Sequence, residues 1–270
     1  MSSQASNPQR RITVPQFTAM KNDDHRISMV TAYDFAFASM IDECGVEGIL
    51  VGDSLSMVVQ GHDSTLPVTL EEMIYHAQMV GRAVKRSLVV VDMPFPSYHL
   101  GSFKAIESAG RILKQTRCQA VKLEGGVDQA EVIAALVSAG IPVMAHVGLR
   151  PQSVHQMGSY RVQRESAQLM ADAKAAQEAG AFAMVLECIS AEIAAVITAE
   201  VDIPTIGIGS GVDCDGQILV MHDLLGLTEG RVPKHVKAYA QLRESIQGSI
   251  SQYRDEVRNG QFPGQDQSFR

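Results

Sequence analysis

Residues 42–53 read DECGVEGILVGD: the end of an amphipathic segment, a small residue and a glycine, and then a short apolar run that leads to Asp53. The same order recurs as VSAGIPVMAH at 137–146 and as QEAGAFAMVLE at 177–187. In each copy the glycine would end a helix in the left-handed conformation, which glycine adopts without a Cβ penalty; these glycines are Gly45, Gly140 and Gly180. The repeat predicts helices that alternate with short buried strands.

Eight apolar runs have the length of buried strands. They are 27–33, 48–53, 88–93, 120–124, 142–147, 182–188, 204–208 and 217–221. Candidate helix starts lie between them, because Thr69–Glu72 and Asp128–Glu131 have the spacing of a capping box or of its acidic variant. Eight such repeats predict an α/β fold, a single-domain (β/α)8 TIM barrel, with an open doubly wound sheet as the alternative.

The length of 270 residues fits one such barrel, and 46% hydrophobic residues allow a large core. We predict a polar N-terminal tail over 1–11, the barrel as the catalytic domain over 12–259, and a mobile, polar C-terminal tail over 260–270. The segment 150–164 follows the fifth strand and is too polar for the core. We expect it to cover the site.

The charge balance is acidic, since 23 Lys and Arg face 30 Asp and Glu, a formal net charge of −7. No basic field for nucleic acid or for an anionic membrane is indicated. The N-terminus lacks an apolar signal segment, and no apolar stretch approaches the ~20 residues of a membrane span. The four cysteines are dispersed without a C-x-x-C pair, so we expect a reducing, cytoplasmic location.

Ionisable residues end five of the apolar runs: Asp53, Asp92, Glu124, His146 and Glu187. Ending a strand that is buried on both faces in a carboxylate is costly unless that end opens into a polar site. A (β/α)8 barrel gathers its catalytic side chains at the carboxyl ends of its strands. The five residues are therefore predicted to meet at one mouth of the barrel.

Three carboxylates at one mouth, those of Asp53, Asp92 and Glu124, cannot all stay ionised at short range without a cation or shared protons. Oxygen ligands favour a hard ion, and Mg²⁺ suits a few carboxylates that share it with waters and substrate oxygens. Lys122 shares a strand face with Glu124. A lysine beside a metal indicates a substrate with a carboxylate, but Lys122 could also simply pair with Glu124. Each of the three acids, taken alone, could instead cap a helix or pair with an arginine.

The other polar residues leave several readings open. With partial burial, Glu187 would have a raised pKa and could act as a base near neutral pH. His146 could be a metal ligand, a proton donor or a satisfied interior histidine. Cys188 is interpreted as a packing residue and not as a nucleophile, because a thiol beside a carboxylate is not activated. The turn IGIGSG at 206–211 resembles a phosphate-binding turn but lacks the spacing of a Walker loop or of GxGxxG.

Several long motifs resemble the ketopantoate hydroxymethyltransferase family over residues 12–240. They are GDSLSMVVQGHDSTLPVTLEEM, VKLEGG, VGLRPQSVHQMGSYRVQ, MVLECIS and IGIGSGVDCDGQILVMHDLLG. The resemblance implies a (β/α)8 barrel in a large homo-oligomer, a decamer in the bacterial enzymes, that acts in pantothenate and coenzyme A synthesis. It implies that a hydroxymethyl one-carbon unit moves from 5,10-methylenetetrahydrofolate to 3-methyl-2-oxobutanoate, giving ketopantoate, with Mg²⁺ as the cofactor.

The resemblance also implies roles for individual residues. Asp53 and Asp92 would bind Mg²⁺, with Glu124 completing the site directly or through water. Glu187 would be the base, and His146 would lie near the transferred group. The residues that would hold the substrate are Asp53, Ser54, Asp92 and Lys122.

Four positions depart from the family pattern. Ser56, Ala145 and Ser159 stand where Gly is expected, and Ser210 stands where Ala is expected. These departures raise a question about local loop geometry but leave every charged residue of the site in place.

Three other readings remain. One is a Mg²⁺-dependent 2-oxo-acid lyase or mutase of the isocitrate lyase and phosphoenolpyruvate mutase group, although the chain lacks the K-K-C-G-H loop associated with that group. Another is a metal-independent aldolase in which Lys122 forms a Schiff base. The third is a catalytically dead barrel with a binding role.

The arginines of the polar loop, Arg150, Arg161 and Arg164, could meet the glutamate carboxylates of a folate or form ordinary salt bridges.

Overall fold

Eight parallel strands form a closed barrel in the computed structural model, which describes residues 11–23, 25–158, 161–230 and 232–269. Each strand pairs with the next in parallel, and the last pairs with the first. The strands are β1 (Ile27–Thr31), β2 (Gly48–Val51), β3 (Leu88–Asp92), β4 (Ala120–Glu124), β5 (Val143–Gly148), β6 (Ala183–Glu187), β7 (Thr205–Ile208) and β8 (Gly216–Leu219). The predicted (β/α)8 barrel is confirmed, and the open sheet is excluded.

Helices alternate with these strands. They are α1 (Val14–Ala19), α2 (Phe35–Glu43), α3 (Leu55–Val58), α4 (Leu70–Ala83), α5 (Ser102–Gln115), α6 (Ala130–Ser138), α7 (Val154–Met157), α8 (Ser166–Glu178), α9 (Ala191–Glu200), α10 (Met221–Leu224) and α11 (Leu242–Arg258). Short 3-10 turns occur at Met20–Asn22, Val127–Gln129, Pro151–Ser153 and Gln265–Gln267. In the described part of the chain no helix is both long and apolar enough to cross a membrane.

The chain divides after Val220 into two compact units. The first holds the barrel. In the second, Tyr239 N–H donates to the Leu224 carbonyl oxygen, and Arg243 pairs with Glu229. The domain limits drawn from the sequence, 12–259 with tails on either side, stay a proposal. Most of the N-terminal tail, residues 1–10, and the last residue lie outside the described residues.

The three repeat glycines end helices as their sequence context predicts. Gly45, Gly140 and Gly180 have φ angles of 84°, 80° and 94°. A side chain at such an angle would be strained, whereas glycine is not. Each glycine therefore turns the chain from a helix toward the next strand.

One of the two predicted capping boxes is present. The Thr69 hydroxyl accepts from the N–H of Glu72, and the Glu72 carboxylate accepts from the N–H of Thr69 at 2.8 Å, so α4 begins as predicted. The prediction at Asp128 is wrong. Here α6 begins after Gln129 without a side-chain cap, because the Asp128 carboxylate accepts the N–H of Gly126 and pairs with Arg150 instead.

Apolar side chains fill the amino-terminal half of the barrel. The inward residues of β3 and β4 there include Leu88, Val90 and Ala120, and Phe17 of α1 packs against the same buried cluster. Phe17 meets Phe182 edge to face with ring centroids 6.0 Å apart. Burying a phenylalanine of this kind stabilises the fold by about 1.5–3 kcal/mol.

Strand alternation places the polar residues directly above this core. Side chains two residues apart share a face of a strand. In β3, Asp92 therefore follows Leu88 and Val90 on the inner face, and in β6 Glu187 follows Ala183 and Val185. Lys122 and Glu124 of β4 and His146 of β5 follow inner-face residues in the same way. One end of the barrel is consequently apolar and the other is lined by ionisable groups.

Candidate active site

Asp53 and Asp92 form the carboxylate pair at the mouth of the barrel. β2 ends at Val51, so Asp53 lies in the loop after the strand rather than within it as the sequence suggested. The backbone N–H of Asp53 donates to Oδ2 of Asp92 at 3.0 Å, and both residues are buried. Burial and the Asp92 carboxylate raise the pKa of Asp53 to about 7.

Lys122 supplies the buried positive charge. Its Nζ lies 2.9 Å from Oδ1 of Asp92 and 3.1 Å from Nδ1 of His146. Burial alone would lower the pKa of Lys122, but the carboxylates of Asp92, Asp53 and Glu124 outweigh it and raise the pKa above its ordinary value. Lys122 is therefore a charged ammonium group at neutral pH.

His146 uses both ring nitrogens inside the protein. Nε2 lies 2.8 Å from the carbonyl oxygen of Leu149, a contact that requires the proton on this nitrogen. Nδ1 then accepts a hydrogen bond from Lys122. Burial and the charge of Lys122 hold the pKa of His146 well below its ordinary range. The neutral ring orients Lys122. This arrangement matches one of the three interpretations given above, an interior histidine whose hydrogen bonds are all satisfied.

Glu124 completes a third acidic position beside the pair. Its Oε2 accepts the backbone N–H of Gln152 at 3.0 Å, and its Oε1 lies 3.8 Å from Nδ1 of His146. Burial and the charge of Asp53 raise the pKa of Glu124 well above its ordinary value. The carboxylates thus repel one another as the sequence implied.

Glu187 is the least buried of the acids. Its side chain is 19% exposed, and Oε2 lies 3.4 Å from Nε2 of His146. Burial raises its pKa to about 8, while the charge of Lys122 opposes that shift. A carboxylate with such a pKa can accept a proton near neutral pH.

The backbone around Glu187 is held tightly from β5. The N–H of Leu149 donates to the carbonyl oxygen of Glu187 at 2.8 Å. Gly148 has φ 105°, and a Cβ there would come within 2.3 Å of the same oxygen. Only glycine therefore allows β5 to approach the end of β6 this closely. Cys188, which follows, is the one described non-glycine residue with a positive φ, 49°.

Gln152 is a site residue that the sequence interpretation missed. We expected the segment 150–164 to be too polar for burial, yet Gln152 is buried. Its Nε2 donates to Oδ2 of Asp53 at 2.9 Å and to the carbonyl oxygen of Met93 at 3.0 Å. Its Oε1 accepts from the hydroxyl of Tyr98 at 2.9 Å. A buried amide is acceptable because all of these polar groups are paired.

Ser54 lies beside the carboxylate pair. Its hydroxyl is 2.8 Å from the hydroxyl of Tyr33. Tyr33 is buried, and burial raises its pKa above the ordinary value, so it stays protonated. The sequence carried no signal for Tyr33, because aromatic residues near a strand end are common in cores.

The donor set fits a small hard cation shared with a substrate. Oδ1 of Asp92 is buried and accepts no hydrogen bond of favourable geometry, although Lys122 lies close. The available donors are carboxylate oxygens, which Mg²⁺ prefers. Among the described residues, however, no three His, Cys, Asp or Glu side chains form a group that could hold a metal ion. An ion here would need ligands from water or substrate.

The departures from the family pattern cause no strain where they are described. The Ser56 hydroxyl donates to the Ser64 carbonyl oxygen at 2.8 Å, and the Ser210 hydroxyl donates to that of Leu186 at 2.7 Å. Ala145 is buried within β5. Ser159 lies outside the described residues.

The loop arginines differ from one another. Arg150 pairs with Asp128 at 2.6 Å, whereas Arg161 and Arg164 are exposed. In the turn at 206–211, the Gly211 carbonyl oxygen accepts a hydrogen bond from the Gln217 side chain. A phosphate-binding role for this turn stays a prediction.

Comparisons with known proteins give a consistent result. A family model described as Ketopantoate hydroxymethyltransferase matches residues 11–265. A 3-methyl-2-oxobutanoate hydroxymethyltransferase from Rhodopirellula baltica is 53% identical over 259 residues, which are 96% of this chain and 96% of the relative. A relative of the same name from Desulforapulum autotrophicum is 53% identical over 262 residues, 97% of this chain and 100% of the relative.

Solved structures with the same architecture are more distant. A phosphoenolpyruvate phosphomutase from Streptomyces platensis subsp. rosaceus aligns with a TM-score of 0.62 at 14% identity, covering 92% of this chain and 88% of that chain. A 2,3-dimethylmalate lyase of the PEP mutase/isocitrate lyase superfamily aligns with a TM-score of 0.60 at 17% identity, covering 96% and 92%. At such identities the likeness concerns the fold alone.

Proposed function

The chain belongs to the ketopantoate hydroxymethyltransferase family, and on this premise we propose that it transfers a hydroxymethyl one-carbon unit from 5,10-methylenetetrahydrofolate to 3-methyl-2-oxobutanoate. The product would be ketopantoate, an intermediate of pantothenate and coenzyme A synthesis. The observation that carries the proposal is the juxtaposition of a charged lysine, a carboxylate pair and a glutamate with a raised pKa at one mouth.

The reaction needs a base, because the hydrogen at C3 of the oxo acid is replaced. In the proposed step the C3–H bond breaks and its proton passes to the Glu187 carboxylate. A new bond forms from C3 to the methylene carbon of the folate, that carbon leaves the folate nitrogens, and one water supplies the hydroxyl group. The raised pKa of Glu187 matches this task, since a base works best when its pKa lies near the working pH.

The substrate carboxylate and its oxo group need positive charge. Asp53 and Asp92 would hold Mg²⁺, with Glu124 contributing directly or through water. Bound there, Mg²⁺ would polarise the oxo group and offset the charge that develops when the proton leaves. Lys122 would offset the remaining charge of the substrate carboxylate, and the hydroxyl of Ser54 would orient it. Neutral His146 would hold Lys122 in place near the transferred group.

Proton exchange tests the first half of the reaction. The C3 proton of 3-methyl-2-oxobutanoate is followed by NMR in D2O with purified protein, first with Mg²⁺, then with EDTA, and finally with the folate added. We expect Mg²⁺-dependent exchange and then folate-dependent ketopantoate. If neither exchange nor product is seen, the proposal is wrong.

Replacing the base is the sharpest single test. Glu187→Gln should slow C3 exchange by at least about a hundredfold, the usual contribution of a positioned base, while Mg²⁺ binding persists. Normal exchange in this variant would remove Glu187 from the role of base.

The aldolase alternative, in which Lys122 forms a Schiff base, predicts that borohydride traps an adduct and that EDTA has no effect. A lysine that attacks a carbonyl must lose its proton, and the surrounding carboxylates hold the pKa of Lys122 high. Borohydride should therefore trap no adduct, and EDTA should stop turnover. A trapped adduct at Lys122 would favour the aldolase reading instead.

A lyase or mutase of the isocitrate lyase and phosphoenolpyruvate mutase group remains the second candidate, because barrels of that group share this fold. Its signature in the same NMR experiment would be carbon–carbon cleavage or rearrangement without folate. A binding protein without activity would show neither exchange nor cleavage.

Membership of the family also suggests where the enzyme is located and how many subunits it has. We propose a cytoplasmic homo-oligomer, a decamer as in the bacterial members of the family. Light scattering on the purified full chain measures the mass directly, and a single chain of 29.2 kDa would contradict the proposal.

A further inference from the structure

A cavity of about 510 Å³ lies beside the carboxylate site. Its walls come from the loop after β4, the end of β5 and the first turns of α8. The residues that matter for the argument are Gly125, Gly126, His146, Gly148, Gln168 and Asp172. This volume is in the range of pockets that bind small organic molecules, and the proposed mechanism assigns no occupant to it.

One end of the cavity touches the proposed chemistry. His146 lines it and lies 3.4 Å from the Glu187 carboxylate. Gly148 also lines it and packs against the backbone of Glu187. A ligand that filled the cavity would thus present one edge next to the base.

The α8 side of the cavity presents a carboxylate. Oδ1 of Asp172 accepts the N–H of Val127 at 3.0 Å and the amide of Gln168 at 3.0 Å. Among the described residues, no hydrogen bond to Oδ2 is found. These two bonds fix the side chain while leaving one oxygen with acceptor capacity.

The loop after β4 packs closely against α8. A Cβ on Gly126 would come within 2.2 Å of the Asp172 Cβ, and one on Gly125, which has φ 141°, within 2.3 Å of the Gln129 side chain. Both positions therefore need glycine, because protein atoms already fill the space beside the backbone. This close packing fixes the position of Asp172 against the loop after β4.

We propose that this cavity receives the pterin ring of the folate co-substrate, with Asp172 accepting hydrogen bonds from the pyrimidine edge. The 2-amino group and N3–H of a reduced pterin are adjacent donors, and a carboxylate is the acceptor that matches them. The opposite edge of the ring, which carries the methylene group on N5, then faces His146 and Gly148. The assignment rests on the proposed function and adds the location of its second substrate.

Asp172→Asn tests the assignment, because the amide keeps the shape but loses the charge. The KM for 5,10-methylenetetrahydrofolate and the inhibition constant of 6-methyltetrahydropterin should both rise about tenfold to a hundredfold, the range for a lost charged hydrogen bond. Inhibition by p-aminobenzoylglutamate, which lacks the pterin, should not weaken. Glu178→Gln, an exposed acid on the same helix, is the matched control.

The C3 exchange assay separates the two proposals, since exchange needs no folate. Wild-type protein that fails to exchange would overturn the proposed function. If the wild type exchanges but Asp172→Asn leaves the folate KM and pterin inhibition unchanged, only the pterin assignment is overturned. An equal loss of exchange and transfer would show a structural role for Asp172 and also overturn it.

A second readout does not depend on Asp172. The chain has no tryptophan, so Ala167→Trp places a single indole on an exposed helical position of the cavity wall. Bound 6-methyltetrahydropterin should quench its emission, and Ala171→Trp, which is exposed on the same helix outside the cavity, should not respond. Unchanged emission of both variants at saturating pterin would overturn the assignment.

Discussion

Glu187 and His146 show how burial divides the roles of two neighbouring residues. Both lie at the mouth, and their side chains approach within 3.4 Å. Burial disfavours charge on each, so it raises the pKa of Glu187 and lowers that of His146. At neutral pH the histidine is therefore uncharged, while the glutamate is poised to exchange a proton.

The pH dependence of C3 exchange follows from Glu187. A base must be deprotonated, so the rate should rise about tenfold per pH unit below its pKa and level off above it. Burial raises this pKa to about 8 and a bound cation would lower it again, so the midpoint should lie above the ordinary value for a glutamate. Exchange rates measured from mildly acidic to mildly alkaline pH check this. A midpoint near 4.5, the ordinary value for a glutamate, would contradict the prediction.

Among the structural elements, the segment 150–164 after β5 contributes residues to the candidate site and does not merely cover it. Pro151–Ser153 forms a 3-10 turn that carries Gln152 inward, and α7 follows it directly. Further along, the N–H of Gln163 donates to the Cys188 carbonyl oxygen at 2.7 Å, which ties the segment to the end of β6. The same segment therefore reaches both the carboxylate pair and the strand that carries Glu187, the proposed base.

Gln152→Ala should weaken the carboxylate site without unfolding the barrel. The change removes the amide that donates to the Asp53 carboxylate and accepts from the Tyr98 hydroxyl, and losses of such supporting contacts typically cost 10–100-fold in metal affinity or activity. Gln156→Ala, an exposed amide in the same segment, is the control. The Mg²⁺ dependence of C3 exchange is the measurement. Equal Mg²⁺ dependence in both variants would show that Gln152 has no positioning role.

At the scale of the whole molecule, the barrel separates stability from chemistry. The amino-terminal end is closed by apolar residues such as Phe17, which is fully buried. The opposite end concentrates three buried acids, and their mutual repulsion destabilises the protein when no cation is bound. Ligand binding at this end should therefore stabilise the whole barrel.

Thermal unfolding with and without Mg²⁺ measures that effect. A ligand at a hundredfold excess over its Kd adds about 2.7 kcal/mol, which for a chain of this size raises the Tm by roughly 5–10 °C. Asp92→Asn should lose most of the shift, whereas Asp202→Asn, an exposed acid, should keep it. An equal shift in the two variants would place the stabilising ion elsewhere.

The barrel itself could be predicted from the sequence because its signals are local. Short buried runs, left-handed glycines such as Gly45 and the capping box at Thr69 each act within a few residues. The position of acids at strand ends was equally local, since strand alternation carries Asp92 and Glu187 onto the inner face.

The barrel, its mouth and the acids that gather there follow from the amino-acid sequence, because each depends on patterns within a few residues of the chain. The groups that those acids meet depend on how distant segments pack together. Gln152 contacts Glu124, Met93 and Asp53, which lie 28, 59 and 99 positions away along the chain. No local sequence pattern indicates contacts over such separations. The same holds for the proton state of His146, since it depends on Lys122 from a neighbouring strand and on desolvation by the closed barrel.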